Sequence, residues 1–258
     1  MTWFPDRHRH ILNLLEAHGR VATESLAQDL NVSRETVRRD FLDLEAQGLL
    51  KRVRGGAVAL GDGDDGEPPF RRRMKEMRRE KESLTSLAAG LLRPGQSCFV
   101  DAGTTTSVLA GGLARIPDIL VLTNSVDVAQ SIARVEGECD VLLLGGQIDH
   151  DVPGTFGELT LSQVQRFHAD FAFISPVGVH PQGGVYDFRL KEAEVAAAMI
   201  AQAATAVVLA DHSKLGRDSR VRICDCTDID ILVTDSGADD VVLERFRRAG
   251  VGEVRTAR

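Results

Sequence analysis

Apolar and polar positions in residues 1–60 follow a pattern that predicts three short helices and a β-hairpin. The inward positions of the helices recur at helical spacing and are, in chain order, Ile11, Leu14 and Leu15; Leu26, Ala27 and Leu30; and Val37, Phe41 and Leu44. Thr23 is placed to cap the second helix and Ser33 to cap the third. Leu49–Val53 and Ala57–Leu60 alternate around a Gly-Gly turn, which predicts the hairpin. This order of elements predicts a winged helix-turn-helix.

The third helix carries the polar chemistry of this region. If it begins after Ser33, then Arg34, Thr36, Arg38 and Arg39 lie near its start, away from the apolar face. Polar and guanidinium groups that project from a helix N-terminus are what the reading of base edges in a major groove requires. An ordinary amphipathic surface helix with solvated arginines has the same pattern, so this helix alone leaves both interpretations open.

The charge distribution narrows the choice. The formal net charge is -7, and residues 1–60 carry nine Lys or Arg against eight Asp or Glu, so the remaining residues sum to -8. This excludes a protein that binds nucleic acid over its whole surface. It predicts a local patch made by the third helix and the cluster Lys51–Arg54, in which Arg52 and Arg54 at the hairpin tip suit backbone phosphates.

A connector follows the hairpin. The acidic, glycine-rich and proline-rich residues 61–69 cannot form a helix or a central strand, and they predict a flexible linker. Residues 70–82 are dense in both charge signs, which predicts a solvated helix with i, i+4 ion pairs. A DNA-contacting arm is the alternative for this arginine-rich stretch. The predicted domains are a DNA-binding domain at 1–60, a linker at 61–80 and a sensor domain at 81–258.

Apolar strand-like runs alternate with helical patterns in the rest of the chain. The predicted strands are Ser97–Asp101, Ile119–Thr123, Asp140–Leu144, Phe171–Pro176, Thr205–Ala210 and Asp230–Thr234. The predicted helices are Lys81–Leu92, Thr105–Ala114, Ser125–Arg134, Leu159–Phe167, Leu190–Ala203 and Ala238–Ala249. Near-continuous apolar strands interleaved with helices predict an α/β fold in which helices cover both faces of a parallel sheet.

Small, hydroxyl, amide or ionic residues follow five of the predicted strands. They are Asp101-Ala102-Gly103-Thr104-Thr105-Thr106, Thr123-Asn124-Ser125, Gly145-Gly146, Ser175-Pro176-Val177-Gly178 and Asp211-His212-Ser213-Lys214. Ligands of parallel sheets bind beyond the carboxyl ends of the strands, and free N–H groups at a helix start attract anions. Gly145 and Gly146 would leave room for a ligand. One such segment alone is equally well explained as a turn, but five together predict a ligand pocket.

Other classes of protein are disfavoured by the sequence. No apolar run approaches 18 residues and no secretory signal precedes the first helix, so we expect a cytoplasmic protein without a membrane partner. The four cysteines are scattered; Cys224 and Cys226 form a C-x-C without a second pair. We therefore expect buried reduced thiols, and neither a metal site nor a cofactor.

The N-terminal sequence resembles a known family. The run V-S-R-E-T-V-R-R-D-F-L-D-L-E-A-Q-G-L-L-K-R-V-R-G-G-A is similar to the winged helix-turn-helix of the DeoR family of bacterial transcriptional regulators. The resemblance implies that this domain binds double-stranded operator DNA. Because one small wing domain makes few contacts, we also expect a homo-oligomer, a dimer or tetramer. The implied DNA-binding residues are Ser33, Arg34, Thr36, Arg38, Arg39, Arg52 and Arg54.

The rest of the chain resembles the same family through D-A-G-T-T-T, L-T-N-S, L-L-G-G, V-G-V and L-A-D-H-S-K-L-G. The resemblance implies a sensor domain with the broad fold of ribose-5-phosphate isomerase, and a phosphorylated sugar or polyol as effector. Gly184–Phe188 looks like the branch that contains glycerol-3-phosphate repressors, which makes glycerol 3-phosphate the leading effector. The implied effector-binding residues are Asp101, Gly103, Thr104, Thr105, Thr106, Asn124, Ser125, Gly145, Gly146, Gly178, Asp187, Glu192 and Lys214.

The sequence departs from the family at Ala196, where many members carry a lysine. The related isomerases use a lysine with acidic groups, so the departure disfavours the alternative hypothesis of a sugar-phosphate isomerase or deaminase with an appended DNA-binding module. Asp101, Asp187, Glu192 and Asp211 could each serve as a base in such an enzyme. We predict a regulator without enzymatic activity, and a repressor of carbohydrate or polyol catabolism genes; activation is the alternative that no residue distinguishes.

Overall fold

The computed structural model describes residues 4–18, 20–47, 49–59 and 67–257. The chain divides into two compact units, Met1–Glu76 and Met77–Arg258. The predicted end of the hairpin at Leu60 and the linker residues 61–66 lie outside the described residues. No helix in the described part of the chain is long and apolar enough to span a membrane.

The first unit is a helix-turn-helix with a three-stranded sheet. Its elements are α1 (Phe4–His18), β1 (Arg20–Ala22), α2 (Thr23–Asp29), α3 (Arg34–Ala46), β2 (Leu50–Val53), β3 (Gly56–Ala59) and the short α4 (Phe70–Arg73). The antiparallel sheet has the order β1-β3-β2. All nine apolar positions predicted for the helices pack together, with Ile11, Val37 and Phe41 among those most fully buried.

Two local predictions in this unit are wrong. Thr23 does not cap α2 but is its first residue, since its backbone N–H donates to the Gly55 carbonyl at 2.9 Å and its side chain is buried. The Gly-Gly turn is in fact Arg54-Gly55, with φ +86° at Gly55. Gly56 belongs to the sheet, where a Cβ would lie 2.0 Å from the carbonyl oxygen of Val21 in the unpredicted strand β1.

The charged stretch 70–82 forms two helices rather than one. Helix α4 ends at Arg73, and α5 (Arg78–Ala89) begins after Met77, which has a left-handed backbone at φ 51°. The predicted i, i+4 ion pairs are confirmed. Arg72 Nε lies 2.9 Å from Glu76 Oε1, and Arg78 Nε lies 2.6 Å from Glu82 Oε1.

The second unit is a three-layer α/β domain. Its further elements are β4 (Ser97–Val100), α6 (Thr104–Leu113), β5 (Ile119–Thr123), α7 (Val126–Ala133), β6 (Cys139–Leu143), β7 (Gln147–Ile148), β8 (Thr155–Phe156), α8 (Glu158–Val164), β9 (Ala169–Ile174), β10 (Gly178–His180), β11 (Gly184–Asp187), α9 (Leu190–Ala201), β12 (Ala203–Leu209), β13 (Val221–Cys224), β14 (Ile231–Asp235), α10 (Asp240–Arg248) and β15 (Glu253–Ala257). The central sheet has the order β15-β14-β12-β9-β4-β5-β6.

Every neighbouring pair in the central sheet is parallel, which confirms the predicted architecture. The six predicted strands correspond to its inner strands and one edge, within two residues at each end. The edge strand β15 was not predicted, because its sequence E-V-R-T-A alternates polar residues. A small antiparallel sheet, β10-β11-β13, was also not predicted from its short strands.

The cysteines are reduced, as expected, but only two of them are buried. Cys98 and Cys226 are buried, whereas Cys139 and Cys224 are partly exposed. Burial raises the pKa of Cys139 to about 11 and that of Cys224 to about 12, so both remain thiols at neutral pH. Within the described ranges, no group of three His, Cys, Asp or Glu is arranged to hold a metal ion.

Candidate DNA-reading helix and effector site

Helix α3 starts as its sequence predicts. The Ser33 Oγ accepts the Thr36 backbone N–H at 3.0 Å, and the two hydroxyl oxygens are 2.8 Å apart. A serine N-cap satisfies backbone donors at the first turn and defines where the helix begins. Val37, Phe41 and Leu44 are buried, whereas Arg34, Glu35, Arg38 and Arg39 are exposed to solvent.

The three arginines of α3 are exposed but differ in their contacts. Arg34 forms an ion pair with Glu24 of α2, and Arg38 NH1 lies 3.8 Å from Glu35. Arg39 has no hydrogen bond or ion pair within the described chain. Exposed pairs of this kind contribute little free energy, so a phosphate competes with the carboxylates at small cost.

The two arginines of the hairpin have different positions. Arg54 lies in the turn and is exposed. Arg52 lies within β2 opposite Ala57, where its backbone N–H donates to Glu45 at 2.8 Å and its Nε lies 2.5 Å from the same carboxylate. These bonds lower the pKa of Glu45. The prediction that both arginines lie at the hairpin tip is therefore wrong for Arg52, which α3 holds through Glu45.

A buried carboxylate that was not predicted from the sequence lies on the core side of α3. Asp40 accepts from Arg7 Nε at 2.5 Å and from Arg7 NH2 at 2.7 Å, and His8 Nε2 lies 3.3 Å away. Its side chain is 1 % exposed. An aspartate between Val37 and Phe41 on an apolar face was the available signal, because a buried carboxylate requires a cation. The cluster holds α1 against α3.

The five predicted strand ends lie side by side. In the sheet order β12-β9-β4-β5-β6 all five strands are parallel, so their carboxyl ends share one edge. Beyond that edge, Asp101 accepts the Ser175 backbone N–H at 3.2 Å, and Lys214 Nζ donates to Ser175 Oγ at 3.2 Å and to the Pro176 carbonyl at 2.7 Å. The tertiary structure thus brings Asp101 and Lys214 to one place through Ser175, which belongs to a predicted strand end but not to the implied effector-binding residues.

Asp101 has an unusual charge state. Its pKa is raised from 3.8 to about 7, chiefly because burial disfavours the charged form. The nearby carboxylate of Asp187 contributes to the rise, while the Ser175 N–H and Lys214 act in the opposite direction. Asp187 is also buried, on β11. A carboxyl group that is half protonated near neutral pH can both donate and accept hydrogen bonds, which suits a ligand with hydroxyl groups.

The start of α6 has the features of an anion cradle. Gly103 is its N-cap and supplies no side chain to the first free N–H groups. The hydroxyls of Thr106 and Ser107 both donate to the Gly103 carbonyl at 2.9 Å. Thr104 and Thr105 are buried, and Thr105 Oγ1 has no hydrogen-bond partner among the described residues. The free backbone N–H groups at a helix N-terminus favour a bound anion.

The neighbouring strand end contains Asn124, whose side chain is fully buried. Its Nδ2 donates to the Thr155 carbonyl at 3.0 Å, while Oδ1 has no partner within the described part of the chain. Ser125 has a structural task, since its Oγ accepts the Val128 N–H at 3.2 Å and caps α7. Among the described residues, Asn124 Oδ1 is therefore an acceptor without a donor, whereas Ser125 Oγ already accepts a backbone N–H.

Of the two glycines predicted to leave room for a ligand, Gly146 is required by the packing of the protein itself. A Cβ at Gly146 would lie 2.1 Å from Thr160 Oγ1 and 2.7 Å from the Phe156 carbonyl. A Cβ at Gly145 would lie 3.4 Å from Gln163 Nε2. Gly146 thus allows α8 and β8 to pack against the end of β6, whereas a Cβ at Gly145 would make only an ordinary contact.

The predicted site residue Glu192 and the family departure Ala196 both lie on α9. Glu192 is buried near the start of α9, with Oε1 3.8 Å from Arg189 NH1. Ala196 is buried one turn later. A cavity of about 650 Å³, lined by Ala203, Ala206 and Asp230 among others, lies at the amino ends of the strands, away from the predicted site.

A segment after β12, Lys214–Arg220, which we call the strap, crosses Gly178. Gly216 N–H donates to the Val179 carbonyl at 2.8 Å, and the Arg220 guanidinium lies 4.2 Å from the Phe188 ring centroid. A Cβ at Gly178 would lie 2.7 Å from the Arg217 carbonyl oxygen. The glycine is needed because the strap passes too closely for any side chain.

We expect Gly178→Ala to destabilise the second unit by about 1–3 kcal/mol, because the backbone of the strap must move. Lys214 would move with it, so any ligand response through Lys214 would weaken. Chemical denaturation measures the first effect. Gly111→Ala is the matched control, since a Cβ there meets nothing within 4 Å and a helical alanine should stabilise. Equal effects of the two substitutions would contradict the role of the strap.

The two units define a class of protein, a DNA-binding regulator with a helix-turn-helix and an α/β sensor. Residues 7–61 match the family model of the DeoR-like helix-turn-helix domain, and residues 76–236 match that of the DeoR C terminal sensor domain. The chain belongs to the DeoR family and is a DNA-binding transcriptional regulator.

Similar proteins extend over both units. The HTH-type transcriptional repressor GlcR of Bacillus subtilis is 34% identical over 241 residues, covering 93% of this chain and 92% of its own length. The glycerol-3-phosphate regulon repressor of Escherichia coli is 30% identical and covers 89% of this chain and 90% of its own. A solved D-ribose-5-phosphate isomerase in complex with phospho-erythronic acid is 17% identical over 53% of each chain, with a TM-score of 0.40.

Proposed function

We propose that this regulator is a repressor that leaves double-stranded operator DNA when a small phosphorylated sugar or polyol binds to its sensor. The observation that carries the proposal is the similarity to a named repressor over more than nine-tenths of both chains. Glycerol 3-phosphate is the first effector to test, because a second relative is named for the glycerol-3-phosphate regulon. Residues 1–60 would bind DNA and residues 81–258 would sense the effector.

On the DNA side, α3 enters the major groove with its first turns. Thr36, Arg38 and Arg39 would face base edges and phosphates, and Ser33 and Arg34 would meet the backbone near the helix start. Arg54 in the hairpin turn would contact a flanking phosphate. Arg52 would do so only if its guanidinium bound the phosphate and Glu45 at the same time. One small unit makes few contacts, so we propose that a homo-oligomer presents two such helices to repeated half-sites.

On the effector side, the phosphate would bind at the start of α6, where the first N–H groups have no side-chain cap. Lys214 would contribute positive charge, and Asp101 would accept or donate hydrogen bonds to hydroxyl groups. The acceptor Oδ1 of Asn124 and the hydroxyl of Thr105 suit further hydroxyls. Binding that favours one arrangement of the oligomer lowers DNA affinity by the coupling free energy.

We propose no catalytic role for this edge. Asp101 has a pKa suited to a general base, and this is the one observation that favours a sugar-phosphate isomerase. The buried side chain at position 196 is alanine, so α9 offers no lysine there. Purified protein should leave ribose 5-phosphate and glucosamine 6-phosphate unchanged; turnover that Asp101→Asn abolishes would replace our proposal with the enzymatic one.

We expect the full-length protein to bind DNA from upstream of its own coding region with a Kd that rises steeply with salt, measured by fluorescence anisotropy. Arg39→Ala should weaken binding by about tenfold and lower the salt slope by about one, since one phosphate contact is lost. Arg134→Ala, an exposed arginine after α7, is the control and should change neither.

The same assay tests the effector. Glycerol 3-phosphate, fructose 6-phosphate and glucose 6-phosphate are titrated against the preformed complex, with glycerol as the unphosphorylated control. Release by one phosphate, without release by glycerol, supports the proposal. Specific DNA binding that none of the phosphates changes would reject the effector while the DNA-binding function stands. Equal affinity for unrelated DNA would contradict the operator function.

A further inference from the structure

A partly buried carboxylate outside the predicted site holds two cations. Asp149 Oδ1 lies 3.1 Å from Arg189 NH1, and Asp149 Oδ2 accepts from Lys191 Nζ. The Asp149 side chain is 9 % exposed. Arg189 also approaches Asp151 at 4.0 Å. The two cations flank the start of α9, and Asp149 comes from the loop that joins β7 to β8, some forty residues earlier in the chain.

Asp149 also organises its own loop. Its Oδ1 accepts the backbone N–H groups of Asp151 at 2.9 Å and of Val152 at 3.1 Å. Burial opposes ionisation of this carboxyl group, but the bonds from Lys191 and from the two N–H groups outweigh it and lower its pKa to about 2. Asp149 is therefore a permanent anion at physiological pH.

This loop lies directly on the predicted effector site. The ideal Cβ position at Gly154 is 2.7 Å from the Ala102 Cβ and 3.2 Å from ring carbons of Phe156. Lys191 Nζ lies 5.2 Å from the centroid of that same ring. The Val126 N–H at the start of α7 donates to the Pro153 carbonyl at 2.8 Å. A continuous row of contacts thus connects Lys191 to the loop that precedes α6.

Arg189 and Lys191 have the chemistry of a phosphate site. A guanidinium offers paired donors to two oxygens of an anion, and an ammonium adds a compact charge. In this structure both groups are directed to a carboxylate of the same chain. We infer that Arg189 and Lys191 complete the site at the start of α6 by binding the same phosphate of the effector, and that Asp149 is an internal anion that competes with it. The inference rests on the proposed effector function.

Neutralisation of Asp149 changes the affinity for phosphate in opposite directions, depending on whether Asp149 competes with phosphate or only supports its loop. If Asp149 competes, its neutralisation exposes the two cations to phosphate and strengthens phosphate binding. If Asp149 only holds the loop in place, its neutralisation loosens the loop and binding weakens or stays the same. Asparagine distinguishes the two, because its amide oxygen still accepts the N–H groups of Asp151 and Val152 while its negative charge is gone.

The experiment measures binding of inorganic phosphate, and separately of glycerol 3-phosphate, to the full-length protein without DNA. Isothermal titration calorimetry at constant ionic strength gives the Kd, and a thermal scan verifies that each variant is folded. We expect Asp149→Asn to lower the Kd for inorganic phosphate by about tenfold and Arg189→Gln to raise it by at least as much. Asp239→Asn is the control, because Asp239 also accepts a backbone N–H, at 2.7 Å from Val241, at the start of α10.

An unchanged or higher Kd in folded Asp149→Asn would overturn the inference, as would phosphate binding that Arg189→Gln leaves intact. The proposed function fails separately. If phosphate binds Asp149→Asn more tightly but no sugar phosphate releases wild-type protein from DNA, the anion site stands and the effector proposal is rejected. Tighter binding of glycerol 3-phosphate than of inorganic phosphate would show that the site takes a phosphate monoester rather than the free ion.

Discussion

Asp101→Asn is expected to stabilise the second unit above pH 7 and to abolish the response to effector. In the folded protein the pKa of Asp101 is raised from 3.8 to about 7. Folding therefore favours the protonated carboxyl group and disfavours the carboxylate. Stability attributable to this group is complete below pH 4, declines as the pH rises from about 4 to 7, and is flat above. Asparagine removes the charge, which should contribute about 2–4 kcal/mol at pH 8 and almost nothing at pH 4.

The measurement is urea denaturation of wild type and variant between pH 4 and pH 9, together with effector titration of the DNA complex. Asp170→Asn is the control, because Asp170 accepts the Ser97 N–H at 2.8 Å at the opposite edge of the sheet. A gain in stability that accompanies a loss of response is typical of a residue kept for function. A variant that is less stable at pH 8 than wild type would contradict the raised pKa.

Asp40→Ala is expected to unfold the DNA-binding unit at temperatures at which the second unit remains folded. The substitution leaves Arg7 and His8 facing a buried position without their carboxylate, and loss of one partner of a buried ion pair costs about 3–5 kcal/mol. For a unit of fewer than eighty residues this approaches the whole stability. Operator binding should be lost, whereas sugar-phosphate binding should remain.

Hydrogen exchange of α1 and α3, followed separately from exchange of the central sheet, measures this effect. Asp43→Ala, one turn further on α3 and partly exposed, is the control and should change stability by less than about 0.5 kcal/mol. The double substitution Arg7→Met with Asp40→Leu should recover most of the stability, because it removes both charges. A loss below about 1 kcal/mol in Asp40→Ala would show that the cluster does not hold α1 and α3 together.

The sequence alone determined the features that depend on local patterns. Helix α3 follows from the spacing of Val37, Phe41 and Leu44 and from a serine that caps its own helix, both of which act within one or two turns. The inner strands of the sheet follow from apolar runs long enough to be recognised. The five strand ends could be placed at one edge because parallel strands have their carboxyl ends together.

Only the tertiary structure decided the contacts between residues far apart in the chain. Strand β1 is three residues long and exists because β3 pairs with it, and Gly56 is glycine because the two backbones meet there. Gly146 likewise admits Phe156 and Thr160, which local sequence does not reveal. Asp149 finds Arg189 and Lys191 forty residues later, since the fold brings a loop and a helix start together. Periodicity reports which side of an element is buried, but not which distant charge or backbone will meet it.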